Sequence, residues 1–410
     1  MPETMSASFT TLESCLACGA SAPTAYLDLG LQPLANDYPA EPVDLPTFPL
    51  VVAYCTACSH SQLTVSVDPS RLFRHYLYVS GTTDTLRDYF RDFASGVEGT
   101  QGPGLRVLDI ASNDGSLLAE FKARGHEVLG VDPAENLVAV AEERGVPTRP
   151  EFWTEETADT VGKFDVIVAM NVLAHVPDPL GFLRGVRRAL APGGRAYLQT
   201  SQADMFANRE FDTVYHEHLS YFSIRSFLAL FERAGLRPID LQKPPVHGTS
   251  FLWTCTDGDV QEAMSPRISK LLKAEEAGGW HQFSAYTEFG NEARERAAWV
   301  RATLTEQAAA GRRIVGYGAA AKGNTFLNFA GITLPVIFED NPLKVGRYAP
   351  GSLSPIASSE DVSSLNDPIC VLVLAWNFAD EIIRRVREAR GANRGDTAVT
   401  YFPAGRLLDL

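Results

Sequence analysis

From Leu105 to about Cys255, short β-branched and aliphatic runs alternate with stretches whose apolar residues recur at helical spacing. That order predicts a mostly parallel sheet with helices on its faces. The runs that read as strands are Arg106–Ile110, Glu127–Val131, Asp165–Met170, Arg195–Thr200, Pro238–Gln242 and Ser250–Cys255. Between Asp259 and Gly311 the chain is rich in Glu, Ala, Arg and Lys with helical periodicity, interrupted at Gly278-Gly279 and Gly290, and reads as a helical connector. Arg313–Tyr317, Leu334–Phe338, Ile369–Leu374 and Ala398–Phe402 then predict a second, smaller α/β unit. Up to about residue 70 the pattern is loop-rich, with Pro23, Pro33, Pro39, Pro42, Pro46 and Pro49 interrupting short extended pieces. Such a segment needs a staple.

A chain of 410 residues exceeds what one core holds, since single cores rarely grow past about 250–300 residues. The expected division is 1–70, 71–257, 258–311 and 312–410. Hydrophobic residues make up 45% and charged residues 21%, a balance that excludes disorder. The net charge of −14 opposes non-specific binding to nucleic acid or to an anionic membrane, so an anionic ligand must find a local site. Met1-Pro2-Glu3-Thr4-Met5 has neither a basic nor an apolar leader region, and the longest apolar runs fall far short of the roughly 20 residues of a membrane helix. The expectation is a cytoplasmic protein.

Four of the six cysteines form two C-x-x-C pairs, Cys15/Cys18 and Cys55/Cys58. Each pair can offer two thiolates to a tetrahedral Zn²⁺, and four thiolates close the site to chemistry, so the expected role is structural. Unliganded cysteines rarely fall into two such pairs, and neither pair opens a helix after a strand, where a redox thiol would be activated. His60 is a possible substitute ligand. Cys255 and Cys370 lie in strand patterns and read as small apolar residues.

The stretch Val107-Leu108-Asp109-Ile110-Ala111-Ser112-Asn113-Asp114-Gly115-Ser116 reads as a strand, a turn of small residues and a helix start. Such a turn lets a ligand approach the backbone at a helix N-terminus, and Asp132, ending the next strand, can accept both hydroxyls of an adenosine ribose. A plain structural turn is the alternative. The pattern resembles the first motif of class I S-adenosylmethionine-dependent methyltransferases, with Ala111 and Asn113 standing where glycines are usual. Phe164–Val176 resembles the fourth strand of that family, Leu190-Ala191-Pro192-Gly193-Gly194 the turn before its fifth, and the last two strand runs its closing antiparallel hairpin.

A narrower resemblance rests on Phe211-Asp212-Thr213-Val214-Tyr215-His216-Glu217-His218, Tyr76-x-Tyr78-x-Ser80-Gly81-Thr82, Lys322-Gly323-Asn324-Thr325 and Ala375-Trp376-Asn377-Phe378. With the paired cysteines, these span essentially the whole chain and resemble the three-domain, zinc-binding sugar C-methyltransferases of antibiotic biosynthesis, including the C-3 methyltransferases of tetronitrose type. The resemblance implies a Rossmann-like methyltransferase core, a small N-terminal zinc domain and a second, C-terminal Rossmann-like domain that holds a dTDP-linked 4-keto-6-deoxysugar. It implies a monomer that uses S-adenosyl-L-methionine and structural Zn²⁺, with no nucleic-acid or membrane partner.

A sugar carbon becomes nucleophilic only when a proton beside a ketone is removed, so the reaction needs a base and a group that stabilises an enolate oxygen. By resemblance His218 is the base, with Glu217 beside it and Tyr215 near the reacting carbon. An ordinary imidazole value near 6.5 suits that task. His175, just after the fourth strand, is either part of this site or structural. Asp109, Ala111, Ser112, Asn113, Gly115, Asp132, Asn171, Tyr76 and Ser80 are the expected methyl-donor residues. Tyr78, His247, Gly316, Tyr317, Gly318, Lys322, Gly323 and Asn324 are the expected nucleotide-sugar residues, with the Gly316–Gly323 turn cradling the diphosphate. Three alternatives stay open: a nicotinamide in that turn, a second metal on His216 and His218, and methylation at C5 instead of C3. One departure stands out: the family's His-Gly-Gly-Ser-Leu-Arg run reads His247-Gly248-Thr249-Ser250-Phe251-Leu252 here, so a charged contact is missing.

Overall fold

The computed structural model describes residues 9–74, 79–82, 84–246, 249–391 and 394–410. Tyr76, Tyr78 and His247 lie outside the described residues.

The central sheet has seven strands, β1 (Arg106–Ile110), β2 (Glu127–Val131), β3 (Thr148–Arg149), β4 (Phe164–Met170), β5 (Leu190–Thr200), β6 (Leu236–Gln242) and β7 (Phe251–Asp257), in the spatial order β6-β7-β5-β4-β1-β2-β3. β1 to β5 are parallel, and β7 runs antiparallel to both β5 and β6. Period-two alternation along β4 explains the burial on both faces. Val166 and Val168 join Phe90 and Phe121 on one face, whereas Ile167 and Ala169 join Phe182, Phe227 and Trp253 on the other. The expected strands are all present; β3 is an addition.

The second sheet comprises β8 (Arg313–Tyr317), β9 (Ile337–Glu339), β10 (Ile356–Ser358), β11 (Ile369–Val373), β12 (Thr397–Thr400) and β13 (Arg406–Asp409), ordered β10-β9-β8-β11-β12-β13. All are parallel but β13, the order of doubly wound folds, whose ligands gather at the carboxyl ends of the strands where the order reverses. That place is between β8 and β11.

The proline-rich N-terminal segment is more regular than its pattern suggests. Strands Thr24–Pro33, Thr47–Tyr54 and Ser61–Leu63 form a four-stranded sheet whose last member, Ser220–Tyr221, follows the His218 block. Pro39, Pro42 and Pro46 lie in the connection between the first two strands, and Pro33 and Pro49 pair in register with Thr47 and Leu31. The stretch expected as a connector holds two helices, Pro266–Ala277 and Phe283–Ala309. Tyr286 and Phe289 of the second pack on Tyr26 and Tyr54 of the N-terminal sheet, and the same core continues through Ala297 to Phe326 and Leu372 of the C-terminal unit. This helix is therefore a wall shared by the first and last parts of the chain. No helix among the described residues is long and apolar enough to cross a membrane.

Candidate active site and metal centre

The two knuckles fold the same way: the Cys15 carbonyl accepts from Gly19 N and the Cys55 carbonyl from Ser59 N, while the Cys15 and Cys55 amides donate to Ala20 and His60 carbonyls. All four Sγ atoms lie within 4.8 Å of one another, with Cys15–Cys58 and Cys18–Cys55 each 3.6 Å apart. Thiolates at about 2.3 Å from a tetrahedral zinc would stand roughly 3.8 Å apart, so the four cysteines fit the ion. Arg233 donates to the Ala17 carbonyl at 2.6 Å and docks the first knuckle on the helix Ile224–Ala234. His60 is buried against Phe222, outside the converging group.

A single cleft of 1710 Å³ runs between the central sheet, the N-terminal loop Leu34–Tyr38 and the C-terminal unit. Single small-molecule pockets hold roughly 300–1,000 Å³, so this space suits two ligands side by side.

At its first end the turn after β1 is built from left-handed residues, Ala111 (φ 60°), Asn113 (φ 52°) and Gly115 (φ 71°). Asp132 braces it by accepting from Asn113 N and Ala134 N, each at 2.8 Å, and Asn113 Oδ1 in turn accepts from Ser80 N at 2.9 Å. Of the residues expected to hold the methyl donor, Ala111, Asn113, Asp132, Ser80 and Asn171 line the cleft. Asp109, Ser112 and Gly115 do not. Asp109 is buried behind the turn, where burial and the carboxylates of Asp132 and Asp114 push its carboxyl well above the usual range. Ser112 is buried with no partner for its Oγ among the described residues, and Gly115 caps the helix Ser116–Ala123 against Ala141 and Val146. Phe152 and Trp153 line this end too, two aromatic side chains that no motif had singled out.

In the middle of the cleft the Tyr215–His218 block meets His175. The Nδ1 of His218 lies 2.8 Å from the Thr213 carbonyl, which can only accept, so the proton sits on Nδ1 and Nε2 keeps its lone pair. The Gln202 Nε2 lies 2.5 Å from the same nitrogen; with Nδ1 donating to Thr213, the amide is assigned the flipped orientation in which its oxygen accepts. The ring lies against Tyr215, tilted by 42° with centroids 4.1 Å apart, and meets His175 edge-on at 4.9 Å. Burial, then the neighbouring His175, hold His218 down to about 3, so it is neutral but less basic than an ordinary imidazole. Burial likewise lowers His175 to about 4, and it lines the cleft against Phe73 and His218. Glu217 accepts from Asn36 Nδ2 at 2.6 Å, a contact across 181 positions that no local pattern foretells. His216 points away, with Nε2 3.3 Å from the Pro49 carbonyl and its ring against Phe48, so it shares no ligand position with His218.

The far end is formed by the C-terminal unit, and here the structure corrects several expectations. Lys322 lines the cleft with its Nζ 4.0 Å above the Trp376 ring centroid. Asn324 is fully buried instead, donating to the Ala35 carbonyl at 2.8 Å and Tyr38 Oη at 3.0 Å, so it ties the N-terminal loop to the C-terminal unit. Gly323 and Gly316 are packing positions, where a Cβ would stand 2.7 Å from Leu374 and 2.8 Å from Leu334. Tyr317 and Gly318 face a separate 270 Å³ hollow. The turn is also a poorer anion cradle than expected, because Glu339 accepts from Ala319 N at 2.6 Å and from Asn341 N at 2.8 Å. A carboxylate already holds that amide. At this end the cations that line the cleft are side chains, Lys322 together with Lys344 and Arg347, of which the motifs did not include the last two.

Against known proteins, the family "Methyltransferase domain" matches residues 78–241, "C-methyltransferase C-terminal domain" residues 245–403, and "Putative zinc binding domain" residues 15–73. The C-methyltransferase NovU of Streptomyces niveus is 32% identical over 410 aligned positions that cover 97% of each chain. This chain belongs to the same C-methyltransferase family. Ubiquinone biosynthesis O-methyltransferase of Ruegeria pomeroyi is 32% identical over 181 residues, covering 40% of this C-methyltransferase and 73% of that protein. A crystal structure of magnesium protoporphyrin IX methyltransferase (ChlM) from Synechocystis with bound SAM overlays with a TM-score of 0.33, 16% identity, and coverage of 42% of this chain and 79% of that one. This C-methyltransferase thus depends on S-adenosylmethionine, and its four converging cysteines form a zinc-binding site.

Proposed function

We propose that this C-methyltransferase removes a proton beside the ketone of a dTDP-linked 4-keto-6-deoxysugar, with His218 as base, and methylates that carbon, C3. The observation that carries the reading is a neutral, tautomer-fixed imidazole on the wall of the same cleft that Asp132 and Lys322 line. In this reading residues 1–70 hold zinc, 71–257 the methyl donor, 258–311 connect, and 312–410 hold the nucleotide sugar, in a cytoplasmic monomer.

Asn113, Asp132 and Asn171 would hold the methyl donor, whose ribose hydroxyls can still reach the second lone pairs of the Asp132 carboxylate. When bound, it supplies a methyl group on a positively charged sulfur, which the enolate carbon displaces to leave the neutral thioether. The proton passes from the sugar carbon to Nε2 of His218, and the C–H electron pair becomes the enolate with its charge on the former ketone oxygen. Tyr215 stands against the base and is assigned to donate to that oxygen. The developing negative charge stabilises the imidazolium, which offsets the low basicity that burial imposes on His218. Glu217, held by Asn36, fixes the loop between them.

The test is incubation with methyl-labelled S-adenosylmethionine and a panel of dTDP-4-keto-6-deoxysugars bearing amino or hydroxyl groups at C3. Label on C3 is expected; label on C5, the other carbon beside the ketone, would move the site of reaction, and no transfer by protein that binds the donor would refute the substrate class.

A further inference from the structure

Asp212 lies in the single turn Phe211–Thr213, three residues ahead of Tyr215, and is fully buried behind the cleft wall. Its Oδ2 accepts from Trp376 Nε1 at 2.8 Å and stands 3.1 Å from Tyr401 Oη, both groups lying beyond the carboxyl ends of C-terminal strands. Oδ1 is buried with no hydrogen-bond partner among the described residues. On the face of the same indole sits the Lys322 ammonium, 4.0 Å from the ring centroid. Carboxylate, indole and ammonium therefore form one chain, of which only the last two members reach the cleft. An N–H bonded to a carboxylate polarises the indole and makes its face a better seat for a cation. The next residue, Thr213, supplies the carbonyl that fixes Nδ1 of His218. One turn of three residues thus carries contacts to both the cationic end of the cleft and its base.

We propose that Asp212 is a positioning residue that seats Trp376 and Lys322 as the wall for the substrate's diphosphate and, through Thr213, keeps that wall in register with His218. The inference rests on the nucleotide-sugar reading. Charge supports it in both directions: burial pushes the Asp212 carboxyl up to about 7 against the pull of Lys322, while burial lowers Lys322 against the pull of Asp212 and Glu210. Each group pulls its neighbour towards the ionised form, against the effect of burial.

The experiment titrates dTDP and S-adenosylhomocysteine separately into wild type, Asp212→Ala and Asp212→Asn, and measures KM and kcat with the dTDP-4-ketosugar. Asp212→Ala is expected to weaken dTDP binding and raise the sugar KM by about 10-fold or more, because an acceptor and a counter-charge both go. Asp212→Asn keeps an acceptor for Trp376 and gives a smaller rise. S-adenosylhomocysteine affinity stays within about twofold in both. If Asp212→Ala does not fold, Trp376→Phe reads the same wall, with the sugar KM raised and the donor affinity kept. Unchanged dTDP affinity in the folded variants overturns the inference alone, as does equal weakening of both ligands, which marks a structural role. Wild type that binds S-adenosylhomocysteine but not dTDP overturns the nucleotide-sugar reading, and the inference with it.

Discussion

Replacing His218 by Asn separates catalysis from folding at this site. The Asn amide N–H can still reach the Thr213 carbonyl, so the local backbone keeps its partner, while the basic Nε2 disappears. The structural cost is the ring contact with Tyr215 at 4.1 Å, worth roughly 0.5–1.5 kcal/mol. The catalytic cost is that of a general base, about 10²–10⁴ in rate. At about 1.4 kcal/mol per decade this is roughly 3–5 kcal/mol, well above the structural term. The assay is exchange of the sugar proton in D₂O with S-adenosylhomocysteine bound, which reports proton removal without methyl transfer. His218→Asn should slow exchange and turnover together by at least about 100-fold and leave the dissociation constant of S-adenosylhomocysteine unchanged. Exchange within threefold of wild type would refute the assignment, and a larger loss in His175→Asn would move the base to His175, whose ring lies 4.9 Å away.

Because burial holds His218 near 3, its ring resonances, identified by their loss in His218→Asn, should not titrate between pH 5 and 8; a midpoint near 6.5 would contradict the buried geometry. The sign follows for stability: the unfolded ring takes a proton near its ordinary 6.5 and the folded one does not, so this contribution is lost as pH falls from 6.5 towards 3. His218→Asn should therefore lose less stability than wild type between pH 7 and 5, as urea midpoints will show. Cys58→Ser should release zinc, measured as metal per chain, and lower the melting temperature, and retention of a full equivalent would argue against four-thiolate ligation. Arg390 is fully buried and donates to both oxygens of Asp396 and to the Val362, Leu365 and Asp367 carbonyls. Arg390→Met strands those acceptors and should cost about 3–5 kcal/mol in guanidinium unfolding; a loss under about 1 kcal/mol would refute the buried-pair account.

Much of the molecule was legible because its causes are local. The two C-x-x-C knuckles fold on their own hydrogen bonds, and β1, β2, β4 and β5 announce themselves through apolar runs that a strand buried on both faces requires. The turn at Ala111–Gly115 and its brace Asp132 also follow from short-range pattern, as does the His218 block through its resemblance.

Tertiary structure decided the rest, and it did so by partner choice. Asn324 sits one residue beyond a glycine turn, where a sequence reading assigns it to ligand, yet its amide is taken by Ala35 and Tyr38 almost 290 positions away. Asp212 is unremarkable beside Tyr215 and His218 until β11 and β12 bring Trp376 and Tyr401 to its carboxylate. Ser220–Tyr221 joins an N-terminal sheet whose prolines mask its strands. Periodicity and turn chemistry specify what a segment becomes, because they act over a few residues. Which polar group faces a ligand and which is spent holding units together depends on the contacts that complete its hydrogen bonds, and those exist only in the folded chain.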